Sequence, residues 1–434
     1  MISWPQLSNI YVYARNIFFA ITASSASIGG GIVTYKVIKN DTVLIEQIKV
    51  PSAFEDLGYT SEIVTARILD DITYLNNRTI SAKDRSKFVD SKIDLDNIDT
   101  NFAGISFKEI AASIGEFFGK EIKRISGEIT LIKDGDKITY KVRIRQTPDR
   151  IMLVEFEESA LPDQIIRKTA LKLIEKTDPH IAAALYQGVF RDNVNAYRMI
   201  DYVLSGENRQ SYKYSLNLRS LMFLNDGKYE DAWNDLLSSL EIDPDFPATH
   251  ANIANYYIVK KDYDKALDSA LRAIDKNPNS PFGYLQKARI YRQKGDYDLA
   301  ILNFKIALEK DKKYIPAYNL MALTYLDQNK FDEAKQWILK GIIARPESPY
   351  FYLNYGKILT KQGKHNEAVV QFKAAVEIDN NNPEFLMALA DCYSNLKKTN
   401  DRNIIINKIS SDLNSGLYSY SSSAEKEVRN YLQK

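Results

Sequence analysis

The phrase Gly227-Lys-Tyr-Glu-Asp-Ala232 returns four more times in this chain, and each return ends on an alanine 34 residues further along. Its later forms are Lys261-Asp-Tyr-Asp-Lys-Ala266, Gly295-Asp-Tyr-Asp-Leu-Ala300, Asn329-Lys-Phe-Asp-Glu-Ala334 and Gly363-Lys-His-Asn-Glu-Ala368. A fixed period of this length is typical of stacked helical hairpins, in which each unit contacts only its neighbours. The sequence therefore predicts a helical repeat array that acts first as a binding scaffold.

The other positions of the repeat follow the same register. Placing the alanine at position 20 gives units of 213–246, 247–280, 281–314, 315–348 and 349–382. Position 8, where the two helices of a hairpin approach closely, holds a small residue in every unit, namely Ser220, Ala254, Ala288, Ala322 and Gly356. Position 32 is proline in three units, where one helix must end before the next begins. Small side chains thus recur where the two helices of a hairpin must approach each other.

Residues 213–382 resemble the tetratricopeptide repeat family at most of its structural positions. A sixth first helix, Pro383 to Leu396, keeps the register, but the helix after it has lost the phrase, so this part is expected to cap the array. Upstream, Asp178 to Gly206 reads as a degenerate pair offset by about two residues. The resemblance covers only the carboxyl-terminal half, where it implies an α-solenoid.

In this family the first helices line a concave groove, and positions 2, 5, 9, 12 and 13 face a ligand. Mapping these positions predicts a partner-binding site made of Tyr214, Asn217, Asn255, Phe282, Arg289, Arg292, Asn319, Tyr350, Lys357 and Lys361. The predicted groove is apolar at its start and basic toward the later units, which suits a polypeptide with hydrophobic anchors and an acidic part. The competing interpretation is that several of these residues pack against one another or against the preceding domain. The Lys and Asn clamp of family members that hold acidic chaperone tails is not matched.

Residues 41–176 predict an α+β domain, a small helix-covered sheet. A strand from Thr42 to Val50 is followed by a helix from Thr60 to Leu75, for which Thr60 is the expected cap. The polar stretch 76–101 reads as a connection, and residues 105–118 as a helix that opens with a capping box. Alternating residues around Asp134-Gly135 predict a hairpin; a strand over 151–156 and a helix over 161–174 complete the domain.

Part of this domain loosely resembles the amino-terminal domain of TolB and its relatives. The likeness rests on Glu121 to Ile144, Glu121-Ile-Lys-Arg-Ile-Ser-Gly-Glu-Ile-Thr-Leu-Ile-Lys-Asp-Gly-Asp-Lys-Ile-Thr-Tyr-Lys-Val-Arg-Ile144, followed by a strand and an amphipathic helix. Residues 48–70 also resemble a group of bacterial proteins that carry a membrane segment before this region and tetratricopeptide repeats after it. These likenesses imply architecture and no residue-level function.

The amino-terminal segment 1–40 contains 20 residues without a charge between Arg15 and Lys36. At about 1.5 Å per residue a helix over 16–35 would cover roughly 30 Å, the thickness of a bilayer core. Serines and three consecutive glycines dilute its middle, so a membrane anchor, a cleaved signal peptide and a loose soluble segment all remain open. The resemblance favours a single-pass inner-membrane protein with a periplasmic body. The cations that flank the segment instead favour a cytoplasmic location for the residues that follow it.

The sequence contains no group of residues with the types and spacing that catalysis, metal binding or cofactor binding requires. His180, His250 and His365 are far apart, and a structural role is the favoured interpretation. A net charge of +2 gives no strong field for nucleic acid. We therefore expect a non-catalytic protein–protein interaction scaffold, tethered to a membrane. The repeat array is expected to span 177–416 and to be followed by a helix at 417–434. The alternative function is that the domain at 41–176 binds a small ligand or assists an enzyme, while the repeats recruit a substrate.

Overall fold

The computed structural model describes residues 42–79, 87–90, 123–135, 137–147, 150–415 and 422–433. The chain divides into two compact units, Met1–Phe190 and Arg191–Lys434. The predicted helix at 105–118 and the segment 16–35 lie outside the described residues. Among the helices that are described, none is long and apolar enough to cross a membrane.

The amino-terminal unit contains a five-stranded mixed sheet with the strand order β2-β1-β3-β4-β5. Its strands are β1 (Thr42–Ile45), β2 (Lys87–Asp90), β3 (Lys123–Asp134), β4 (Lys137–Thr147) and β5 (Ile151–Glu158). Strand β1 pairs in parallel with β2 and β3, whereas β3, β4 and β5 form an antiparallel meander. The predicted hairpin is confirmed, with the pair Asp134 and Lys137 closing the turn.

Strand β2 corrects the interpretation of 76–101 as a connection. Four residues with two apolar side chains carry too little periodicity to be recognised, and the strand exists because β1 offers it a parallel partner, with Val43 opposite Phe88. Strand β1 is also shorter than predicted: its ladder ends at Ile45, and Lys49 forms only an isolated bridge to Glu128.

Helices cover one face of this sheet. They are α1 (Ser52–Glu55), α2 (Ser61–Arg78) and α3 (Pro162–Thr177), followed by α4 (Pro179–Leu185) and a π-helical turn at Tyr186–Phe190. Thr60 caps α2 as predicted, since its hydroxyl accepts a hydrogen bond from the backbone N–H of Ile63. Ile63 is exposed because it lies on the solvent side of the stripe formed by Val64, Ile68, Ile72 and Leu75.

The other face of the sheet carries charges that neutralise one another across the strands. Arg143 stands opposite Glu128 on β3 and Glu155 on β5, and its Nε lies 3.1 Å from a Glu155 oxygen. Lys141 contacts Glu157 at 2.8 Å and Glu155 at 3.3 Å. Hydrogen bonds from Arg143 and Lys141 lower the pKa of Glu155. This face is a solvated, self-paired surface.

The carboxyl-terminal unit is a series of helical hairpins, each with a first and a second helix. Helix α5 (Asn193–Leu204) precedes repeat 1, α6 (Arg209–Asn225) and α7 (Tyr229–Ile242). The following repeats are repeat 2, α8 (Pro247–Val259) and α9 (Tyr263–Lys276); repeat 3, α10 (Pro281–Lys294) and α11 (Tyr297–Lys310); repeat 4, α12 (Ile315–Asp327) and α13 (Phe331–Ala344); repeat 5, α14 (Pro349–Lys361) and α15 (His365–Ile378); and repeat 6, α16 (Pro383–Asn395) and α17 (Thr399–Asn414). Helix α18 (Ser422–Leu432) follows.

The recurring alanine lies in the packed interior of each hairpin. Ala232, Ala266, Ala300, Ala334 and Ala368 are all completely buried. At position 8 of repeat 5, a Cβ added to Gly356 would lie 2.4 Å from the ring of Phe372, so even a methyl group does not fit there. The 34-residue period is therefore a packing requirement, as the sequence predicts.

Position 15 of every repeat, between the two helices, adopts the left-handed conformation. The φ angles are 74° at Gly227, 60° at Lys261, 84° at Gly295, 58° at Asn329, 74° at Gly363 and 57° at Lys397. The backbone N–H of the next residue then reaches the carbonyl of position 11, as in Lys228 to Phe223 at 2.8 Å. Repeat 6 keeps this turn although it has lost the sequence phrase.

Replacing Lys261 by glycine is expected to stabilise repeat 2 by about 0.5–1 kcal/mol. A left-handed residue with a Cβ is strained by about 1–2 kcal/mol, and glycine removes that strain at some cost in chain entropy. Native-state hydrogen exchange of the amides in α8 and α9 measures the change. The reciprocal variant Gly295→Lys should destabilise repeat 3 by about 1 kcal/mol. Changes in stability of the same sign in both variants would contradict this account.

Candidate partner-binding groove

The first helices of successive repeats lie side by side, and their polar side chains join them in a ladder. Each contact links a residue of one repeat to the residue 34 or 35 positions further along the chain. The pairs are Asn252 Nδ2 to Asn217 Oδ1 at 2.8 Å, Arg289 Nη1 to Asn255 Oδ1 at 2.6 Å, Arg292 Nε to Asp327 Oδ2 at 2.8 Å, and Asn354 Nδ2 to Asn319 Oδ1 at 3.0 Å. We call this surface the first-helix face. Five residues of the predicted site take part in these contacts, namely Asn217, Asn255, Arg289, Arg292 and Asn319, and Arg289 and Asn255 contact each other.

Asn217 lies inside the ladder and is only 5% exposed. Its Nδ2 is within 2.8 Å of the hydroxyls of Ser239 and Thr249 and 2.7 Å of the Lys213 carbonyl. Its Oδ1 accepts the bond from Asn252. The structure places this amide within the packing of repeats 1 and 2, with both of its polar atoms engaged.

Arg289, near the middle of the face, differs from the other arginines of the first helices. Its Nη1 donates to two amide oxygens, Oδ1 of Asn255 at 2.6 Å and Oε1 of Gln286 at 2.8 Å. No carboxylate of the described residues pairs with it. Burial lowers the pKa of this guanidinium, and the nearby charge of Arg292 lowers it further. Arg289 is a largely buried cation that a ligand carboxylate would stabilise.

The other cations of the predicted site are in different environments. Arg292 is paired with Asp327, and Lys357 Nζ lies 2.9 Å from Glu384 Oε1 in the next repeat. Lys361 is exposed. Asp327 and Glu384 thus neutralise part of the positive charge that the mapping predicts for the later repeats.

Aromatic side chains form edge-to-face pairs at the start of repeats 1, 3 and 5. The ring centroids of Tyr214 and Phe246 are 5.2 Å apart, those of Phe282 and Tyr314 are 5.6 Å apart, and those of Tyr350 and Phe385 are 5.4 Å apart. Three residues of the predicted site, Tyr214, Phe282 and Tyr350, are therefore half of an aromatic pair each. Such pairs add about 0.5–1.5 kcal/mol to the burial of their area.

Two cations that the sequence did not single out lie on these rings. Lys213 Nζ is 4.8 Å from the ring centroid of Phe246, and the guanidinium of Arg191 is 5.4 Å from that of Tyr350. Arg191, at the beginning of the carboxyl-terminal unit, also contacts Asp379 at 3.1 Å. No periodic signal could have found Arg191, because it lies outside the repeats and contacts repeat 5.

The carboxyl end of the first-helix face is bordered by α18. Tyr431 Oη donates to Oδ1 of Asp391 at 2.6 Å and lies 3.3 Å from the Met387 carbonyl, both on the first helix of repeat 6. A cavity of about 680 Å³ is lined by residues of α18 together with Lys357 and Glu384. Helix α18 also packs on apolar residues of repeat 6, since Val428 shares a buried cluster with Leu386, Met387 and Ile409.

The histidines and carboxylates do not form a metal site within the described ranges. His250 Nε2 is 2.9 Å from the Pro244 carbonyl, and His180 is buried. Within the part of the chain that the structure covers, no three side chains of the metal-binding types come together.

Comparison with known proteins places the likeness in the hairpins. Two models described as tetratricopeptide repeat match residues 291–353 and 269–301, and one described as TPR repeat matches residues 356–397. The human protein O-mannosyl-transferase TMTC2 is 32% identical over 62 residues, which are 14% of this chain and 7% of that protein. The chain thus spans a small fraction of the length of this curated relative.

Solved structures of similar fold share little sequence with the chain. TTC0263, a thermophilic TPR protein of Thermus thermophilus, is 17% identical with a TM-score of 0.38, covering 42% of this chain and 98% of its own. Pseudomonas aeruginosa pilF is 17% identical with a TM-score of 0.37, covering 52% of this chain and 99% of its own.

Proposed function

We propose that this chain is a non-catalytic interaction scaffold whose first-helix face docks a partner polypeptide, a role supported by the match of residues 269–353 and 356–397 to tetratricopeptide repeat models. Stacked helical hairpins present a continuous surface to which an extended segment can bind along several units. We further propose that residues 16–35 tether the scaffold to the inner membrane with the repeats in the periplasm. The side chains of the first-helix face bear on the first of these proposals, the docking of a partner.

Arg289 is the observation that carries the docking proposal. A guanidinium that is largely buried, held by two amide oxygens and given no carboxylate by the described residues is a preformed donor for an anionic group. The half-buried ring of Phe282 lies seven residues earlier on the same helix, about two turns from Arg289, and offers apolar contact there. The partner is accordingly a segment with an acidic side chain or a terminal carboxylate next to an apolar anchor.

Charge reversal at Arg289 tests this role. In cells that express the tagged full chain, Arg289→Glu is expected to reduce the amount of captured partner at least tenfold, about 1.4 kcal/mol, because a carboxylate would then face a carboxylate. The measurement is quantitative affinity capture followed by mass spectrometry.

Arg272→Glu is the matched control. Arg272 lies on the second helix of repeat 2, and its side chain is 64% exposed, so the same reversal changes the net charge equally without touching the first-helix face. Capture should be retained in this variant. Partners that bind the wild type and Arg289→Glu equally would overturn the proposal.

A further inference from the structure

Repeats 1, 3 and 5 share a composite feature that repeats 2 and 4 lack. Each has an aromatic residue at position 2, an aspartate at position 31, and a second aromatic residue shortly after that aspartate. The three sets are Tyr214, Asp243 and Phe246; Phe282, Asp311 and Tyr314; and Tyr350, Asp379 and Phe385. The interplanar angles of the ring pairs are 83°, 86° and 80°, so the three pockets have nearly the same aromatic geometry.

The aspartate is oriented in the same way in all three pockets. Its Oδ1 accepts the backbone N–H two residues further along, at 3.2 Å for Asp243, 2.8 Å for Asp311 and 3.4 Å for Asp379. This turn fixes the carboxylate and leaves Oδ2 to bind something else.

Two of the three pockets hold a cation that the chain itself supplies. In repeat 1, Lys213 Nζ lies 2.6 Å from Asp243 Oδ2 and 4.8 Å from the Phe246 ring centroid. In repeat 5, Arg191 Nε lies 3.1 Å from Asp379 Oδ2, and the guanidinium lies over the rings of Tyr350 and Phe385. A carboxylate combined with aromatic rings is thus used twice in this protein to bind a basic side chain.

The pocket of repeat 3 has no such occupant among the described residues. Position 1, which is Lys213 in repeat 1, is Pro281 here, and no cation of the described chain contacts Asp311. Asp311 is exposed, Phe282 is half-buried, and Tyr314 is 6% exposed.

We propose that Asp311, Phe282 and Tyr314 form a binding site for a lysine or arginine side chain of the docked partner. The inference deepens the docking function proposed above, on which it rests, by adding a basic residue to the acidic one that Arg289 receives. The positive charge of Arg289 weakens the site, and the acidic group of the partner that pairs with Arg289 would remove this repulsion. At the corresponding position 9 of repeat 5, Glu384 neutralises Lys357 at 2.9 Å, and that pocket holds Arg191.

A small arginine probe tests the site without any partner. N-acetylarginine amide is titrated into the full chain carrying 3-fluorotyrosine at position 314, and the ¹⁹F resonance is followed. We expect a saturable shift with a Kd in the millimolar range, as one exposed ion pair and one or two cation–π contacts provide. Asp311→Asn should weaken binding of the probe about three- to fivefold, as the loss of one exposed ion pair predicts, while the unliganded resonance stays that of a folded protein.

The pocket of repeat 5 serves as the internal control. With 3-fluorotyrosine at position 350, the wild type should not respond, because Arg191 occupies the pocket, and Arg191→Ala should gain a saturable response. An unresponsive resonance at position 314 overturns the inference whatever position 350 does. Capture that Arg289→Glu leaves unchanged, together with an intact probe response at position 314, would instead overturn the docking function alone.

Discussion

Replacing Asp235 by alanine is expected to destabilise repeat 1 by about 3 kcal/mol. Both oxygens of Asp235 accept hydrogen bonds from Arg219, at 2.8 Å from Nε and 2.8 Å from Nη2, and this pairing raises the pKa of the arginine. The Asp235 side chain is 8% exposed and that of Arg219 24% exposed. Removing one partner of a buried pair costs about 3–5 kcal/mol, and the partial exposure of Arg219 places this case at the lower end.

Native-state hydrogen exchange of the amides in α6 and α7 measures the loss, since an array of repeats opens locally and one global unfolding energy would mix several steps. Asp268→Ala provides the comparison, because Asp268 pairs with Arg272 at 3.0 Å with both side chains 64% exposed. That change should stay within about 0.5 kcal/mol. The double variant Arg219→Met with Asp235→Leu should recover most of the loss. A cost below about 1 kcal/mol for Asp235→Ala would contradict the account.

The regular part of the fold follows from the sequence because each of its rules is local or periodic. Ala232 and its counterparts are buried where the 34-residue period places them, and the hairpin around Asp134 and Gly135 needs only alternation and a turn. Such rules do not predict strand β2 or the early end of β1, because parallel pairing joins segments that are distant in sequence and have little hydrophobic periodicity.

The candidate site is less predictable because its side chains act in pairs across repeats. Mapping positions one by one identifies Arg292 and Lys357 as free cations, whereas the structure pairs them with Asp327 and Glu384. Those carboxylates lie 35 and 27 residues further along, and only the stacking of first helices brings them close. Arg191 is harder still, because its contact with Asp379 joins the first loop of the unit to the end of repeat 5.

Asn217 separates the two interpretations of the predicted groove, because binding and packing lead to different results for the same variant. Asn217→Ala removes one hydrogen-bond partner each from Ser239, Thr249 and Asn252, while the buried hydroxyls of Ser239 and Thr249 keep their mutual hydrogen bond at 2.8 Å. A lost buried hydrogen bond costs about 0.5–1.5 kcal/mol, so we expect a loss of about 1–2 kcal/mol in the stability of repeats 1 and 2.

The same variant should leave partner binding nearly intact, within about twofold, if Asn217 serves packing alone. Hydrogen exchange of α6 and α8 reports the stability, and affinity capture under conditions where the variant remains folded reports the binding. Arg289→Gln is expected to do the reverse, keeping exchange rates similar while reducing capture, since a neutral amide leaves no unpaired charge at this largely buried position. If Asn217→Ala instead lost the partner and kept its stability, the ladder would be a recognition surface along its whole length, and the acidic segment would extend to repeat 1.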